Sequence, residues 1–262
     1  MTFPCVLRAE LLKLRRSKVN LVSFIVFSFM VVIVGSFLWM MKNPAVAESI
    51  GLLGQKAKLA FGGQPLDWPS FLALVVEIGG MGGLLMCSVI VSFIFGREYA
   101  EGTAKNLLAL PVPRCQFVLA KIVTATIWFG ALTLWLIPVS LVTGLAVGLT
   151  GLTGAQLTAA TAKLLGLAGM SLCCSAIVAW VAVETRGYFA PMGFSIGTLM
   201  VASVFGHTGW GPWVPWSIVG LYSGAAGPVT DIGWGSVAVI AATLIVGTGL
   251  VASHEVKADN SQ

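Results

Sequence analysis

The sequence predicts an all-α, polytopic membrane protein, and three observations carry that prediction. Hydrophobic residues make up 57% of the 262 residues and charged residues only 10%, whereas soluble domains carry about 25% charged residues. Mean hydropathy is +0.94. Long apolar runs recur along the chain, and period-2 alternation is absent, which argues against a β-barrel.

The elements follow in order. The first stretch, residues 1–18, places Phe3, Leu7, Leu11 and Leu14 at helical steps, with Arg8, Lys13, Arg15 and Arg16 mostly elsewhere. That pattern suits an amphipathic helix lying in a membrane interface. Crossing about 30 Å of hydrocarbon takes roughly 20 residues. Runs of that kind lie at about Val19–Met41, Phe71–Phe95, Phe117–Val147, Ala162–Val183, Tyr188–Phe205 and Gly235–Ala252, giving six predicted spans. The first run is too long for a signal peptide, whose apolar region covers about 7–15 residues, so the "AVA" before Glu48 is not read as a cleavage site. Pro138 predicts a kink or tilt in the third span. The chain is read as one transmembrane domain covering residues 1–262.

Basic residues near span ends report orientation rather than nucleic-acid binding. Six spans put Arg8, Lys13, Arg15, Arg16, Lys18, Arg97, Lys105, Arg114, Lys121, Arg186 and Lys257 on one side, against Lys42, Lys56, Lys58 and Lys163 on the other. Eleven against four, of the 15 Lys and Arg, predicts cytoplasmic termini in a bacterial-type cell membrane. The five cysteines show no C-x-x-C, and His207 and His254 have no neighbouring ligand pattern, so no metal site is predicted.

Residues 96–116 are the most polar long stretch in the chain. Glu98 to Leu110 can form about three helical turns, stopped by Pro111 and Pro113 and interrupted by Gly102 and Thr103. A short helix of mixed charge with a leucine edge is suited to docking in a groove. A solvated loop joining two spans is the plainer alternative.

The pattern formed by Glu98, Gly102, Thr103, Lys105, Leu107, Leu108, Pro111, Arg114 and Lys121 resembles the signature of ABC-2 type transporter permeases. The likeness is nearest to the bacitracin and lantibiotic export or immunity subgroup. In that family six spans, an N-terminal interfacial helix and a cytoplasmic insert after span two recur. The resemblance implies a permease subunit of an exporter whose insert is a coupling helix seated in a cytoplasmic ABC ATPase. Glu98, Glu101, Lys105 and Arg114 would then form salt bridges to the ATPase or to the interfacial helix. A second permease copy or a paralogue would complete the central pathway. No G-x-x-x-x-G-K-[ST] occurs, so ATP and Mg are expected on the partner subunit and no catalytic residue on this chain.

Between spans five and six, Trp210, Trp213, Trp216 and Trp234 accompany Pro212 and Pro215. The two Pro-Trp pairs resemble the outer loop of lantibiotic-type permeases. Trp210, Trp213 and Trp216 are read as a re-entrant substrate lid or as interfacial anchors.

Rival readings rest on other residues. Gly193 to Gly197, "GFSIG", matches a serine-hydrolase elbow, but that turn joins a strand to a helix and does not belong in a helical span. The two glycines also form a small-x-x-x-small pair suited to close helix packing. Glu77 is a polar site in span two, six residues from its expected outer edge. It supports a proton-coupled secondary transporter as the alternative. A structural or assembly membrane protein is a further alternative.

Overall fold

The computed structural model describes residues 3–43, 67–103, 113–226 and 233–259. Among the described residues there are eight α-helices, one short 3-10 turn and no strand. Helix α1 covers Phe3–Arg15 and α2 covers Lys18–Lys42. Ser17 separates them: its backbone is extended and its hydroxyl accepts the Val19 N–H at 3.2 Å, capping α2.

Helix α3 (Trp68–Ala100) starts on Asp67, whose carboxylate accepts the Ser70 N–H at 3.0 Å, with proline in the first turn. Helix α4 (Arg114–Ala146) runs as one element through Pro138. Helix α5 (Gly154–Glu184) opens on a reciprocal cap between Thr153 and Gln156. Helix α6 (Phe189–Gly206), the 3-10 turn Gly211–Trp213, α7 (Pro215–Ser223) and α8 (Trp234–Asp259) complete the described elements.

Helices α2, α3, α4, α5, α6 and α8 are long and apolar enough to cross a membrane, six among the described residues. Three begin three or more residues before their apolar runs. Helix α3 starts at Trp68 rather than Phe71, α4 at Arg114 rather than Phe117, and α5 at Gly154 rather than Ala162. The caps of α3 and α5, Asp67 and Thr153, are polar residues that lie outside the apolar runs.

Helix α3 is the centre of the bundle and packs against α5, α4, α6, α7 and α2. Trp68, Phe71, Leu84, Cys87 and Ile90 are among its buried side chains. Two glycines allow backbone to meet backbone. A Cβ on Gly247 of α8 would sit 2.6 Å from the Ala176 carbonyl carbon of α5. A Cβ on Gly96 of α3 would sit 2.5 Å from the Gly187 oxygen in the α5–α6 turn. By contrast, Gly193 and Gly197 have nothing within 4 Å. The expected tight packing at that pair is absent among the described residues, because both glycines lie on the outer face of α6.

Helix α7 is enclosed by the bundle. Its start lies at mid-α5, where the Cys174 thiol is 3.5 Å from the Pro215 oxygen. Its end returns to Gly166 and Lys163, the latter 5.9 Å from the Tyr222 ring centre. Ser217 donates to Ala202 O at 3.2 Å, tying α7 to α6. Ile218 and Val219 are buried inside the bundle.

Helix α1 is packed against protein. Val6 and Ala120 are buried together, with Phe3, Leu7 and Phe117 around them. Its buried stripe is Val6, Glu10 and Leu14. The expected Phe3, Leu7, Leu11, Leu14 face lies beside this stripe and shares Leu14 with it, and the inward side also carries an acid, Glu10.

Candidate functional site

The basic ends of the helices converge. The first turns of α4 hold α1, the last turn of α3 reaches both, and Gly96 meets the α5–α6 turn. His254 of α8 approaches Glu184 of α5 at 3.7 Å on the same side. At the other end, Lys42 of α2 donates to Gly148 O beyond α4 at 3.0 Å.

Four charges knit the basic end. Glu98, in the last turn of α3, accepts from Lys13 of α1 at 2.9 Å, and its second oxygen lies 3.1 Å from Lys121 of α4. Lys13 also donates to Glu10 at 2.6 Å. Lys121 lies 3.8 Å from the other Glu10 oxygen and donates to Ile94 O at 2.8 Å. Glu10 is 5% exposed and Lys121 6%, so the carboxylates and ammoniums balance each other away from water. Desolvation pulls the Lys13 pKa down, but the hydrogen bonds to Glu10 and Glu98 outweigh it and leave it above the usual lysine value.

A cavity of about 310 Å³ opens beside this cluster, lined also by Arg97, Glu101, Thr103 and Thr124. The buried Thr124 hydroxyl has no hydrogen-bond partner among the described residues. Arg97 pairs with Glu101 at 2.7 Å along the outer edge of α3.

The end of α3 accounts for the first part of the expected Glu98–Leu110 stretch, whose residues 104–110 lie outside the described residues. Glu98 to Ala100 belong to α3, and the helix stops there. Gly102 has φ +68° and donates to Tyr99 O at 3.2 Å, while Thr103 N–H donates to Glu98 O at 2.9 Å. This is a Schellman cap, and the left-handed backbone is the reason for glycine. Glu101, Gly102 and Thr103 are exposed. Lys105, Leu107, Leu108 and Pro111 lie outside the described residues, as does the Arg114 side chain, although its backbone opens α4.

The tryptophans of the loop separate. Trp210 and Trp213 are 70% and 61% exposed. Trp216 instead packs edge-on against Phe194, with ring centres 6.1 Å apart. Glu77 is half-buried on α3, nine residues after Trp68, which is about 14 Å along the helix. Ser195 is buried within α6 and donates to Pro191 O at 2.7 Å, an ordinary helix back-bond with no elbow. No group of three metal-ligating side chains occurs among the described residues.

Sequence reasoning passed over Glu10 and gave no site role to Lys13 or Lys121. The available signal was Glu10 itself, the single acid in an otherwise basic amphipathic segment.

The chain is 33% identical over 138 residues to a Bacillus licheniformis protein named bacitracin transport permease protein BCRB. That alignment covers 52% of this chain and 66% of the relative. A family model described as ABC-2 family transporter protein matches residues 6–202, which include most of α1 and every member of the charged cluster. With more than half its length matched, the chain belongs to the ABC-2 transporter family.

Proposed function

We propose that the chain is the transmembrane permease subunit of an ATP-driven exporter, working with a separate cytoplasmic ABC ATPase that binds ATP and Mg. The orientation that fits has both termini in the cytoplasm, following the eleven-to-four split of Lys and Arg. A second permease, identical or paralogous, would complete the pathway. A relative named for bacitracin transport supports an amphipathic peptide, antibiotic or lipid-like cargo.

One observation carries the reading. Glu98 ties α1 and α4 to α3 just before the chain leaves α3 for the insert. A push on residues 101–113 therefore meets three joined helices rather than one loose loop. Glu101, Gly102 and Thr103 form the exposed near edge of that docking surface, and Lys105, Leu107, Leu108, Pro111 and Arg114 its continuation. Trp210 and Trp213 present aromatic faces at the opposite end, where cargo would leave. Affinity purification from native membranes tests the reading: an ABC ATPase should accompany this chain. Purification without any ATPase, from membranes with intact transport, would remove it.

A second reading keeps one observation. Among the described residues no charged group offsets the burial of Glu77, and an acid within an apolar span can carry protons. Proton-driven transport lost in Glu77→Gln, with no need for an ATPase, would favour a secondary carrier.

A further inference from the structure

A second cavity, of about 320 Å³, lies between α3, α4, α5 and α8. Val91, Phe95, Ile122, Leu172, Leu244 and Val251 line it. Its volume falls at the low end of the range for small-molecule sites. It sits in the half of the bundle nearer the charged cluster, since Phe95 also carries the Lys121 ammonium 5.8 Å from its ring centre. The side between α4 and α8 is flanked by exposed apolar residues, Ile127 on one helix and Ile245 on the other, so its surroundings are hydrocarbon.

The lining decides what can fill it. Its hydroxyls are already engaged with their own helices: Thr126 with Ile122 O, Ser175 with Leu172 O, and Thr248 with Leu244 O. Water needs two to four polar partners to stay in such a space, and here it would find only the acceptor lone pairs of these three hydroxyls in a lining that is otherwise almost wholly apolar. Left empty, the walls would forfeit dispersion contacts on one side. A flexible hydrocarbon chain entering from the side meets both conditions.

We infer that this cavity is a binding site for one acyl chain of a phospholipid from the surrounding bilayer. Gly169 stands at its wall with nothing within 4 Å of a Cβ placed there. A larger side chain at 169 therefore begins in open space at the cavity wall and can extend across its mouth. The inference does not depend on transport, so it stands or falls separately from the exporter reading.

The test uses the chain reconstituted in vesicles containing phosphatidylglycerol with a photoactivatable diazirine in its acyl chain. After illumination, peptide mapping should find adducts on Leu172, Cys173 and Ala176, as well as on outward residues such as Met200. Gly169→Phe, or the milder Gly169→Leu if the first fails to fold, should remove most adducts from those three and leave Met200 unchanged. Adducts confined to outward residues would overturn the inference. So would lining adducts indifferent to both substitutions. A Cys173-to-Cys173 crosslink between two copies, without lining adducts, would assign the cavity to a second copy and also overturn it.

Discussion

Glu98 and Lys13 stand 85 positions apart in the chain and 2.9 Å apart in the structure. Their contact turns an amphipathic N-terminal helix into part of the bundle. The pair is also unequal, because the Lys13 side chain is 39% exposed and that of Glu98 only 14%. Lys121, the other cation on Glu98, is more deeply enclosed.

That inequality predicts unequal mutational costs. Lys121→Ala leaves Glu98 and Glu10 buried with one partly exposed cation between them. Breaking a buried pair from one side costs about 3–5 kcal/mol. Lys13→Ala should cost only about 1 kcal/mol, closer to a surface pair. Unfolding of both variants in detergent checks the order. Equal losses would mean that the cluster is solvated throughout.

The same lysine gives a pH dependence. Its pKa is raised in the folded chain by Glu10 and Glu98 against the opposing effect of burial. Its contribution is thus complete below the unfolded lysine value of about 10.4 and is lost as pH rises through the higher folded value. Arginine keeps its charge through that window. Thermal melting from pH 7 to 11 should show a smaller alkaline loss in Lys13→Arg than in the parent, while the two behave alike near pH 7.

Much of the frame was legible beforehand. Six apolar runs located the spans, while the helix starts at Asp67 and at Thr153-x-x-Gln156 lay beyond those runs and went unread. Gly102 was visible as an interruption, though not as a terminator, because its positive φ depends on where α3 ends. The charged cluster was the hidden part. No local pattern brings Glu10 to Lys121 or Glu98 to Lys13, since these contacts follow from the packing of α1 on α4. Trp216 likewise turns inward for a tertiary reason, the burial of α7, while its neighbours Trp210 and Trp213 stay outside.

The tryptophans should therefore behave differently. Trp216→Ala removes a ring packed on Phe194 and should destabilise the bundle by up to about 3 kcal/mol. Trp213→Ala should leave abundance and melting unchanged while lowering export or resistance. Normal export in a stable Trp213→Ala protein would reduce that ring to an anchor.

Glu98 is too embedded to probe docking alone, because reversing its charge also breaks the link to α1 and α4. Glu101 is the cleaner probe, its side chain being 50% exposed. Glu101→Lys should keep the chain in the membrane and weaken ATPase association. Gly102→Val should act similarly while costing about 1–2 kcal/mol for a left-handed backbone without glycine. Unaltered ATPase binding in both variants would leave residues 101–103 as a solvated helix end.

The most direct test of the exporter account places a photocrosslinking residue at 105 and, separately, at 58, in native membranes. The account predicts a covalent adduct with an ABC ATPase from position 105 and none from position 58, on the other side of the membrane. An ATPase adduct from 58, or none from 105 in membranes where transport is intact, would contradict it.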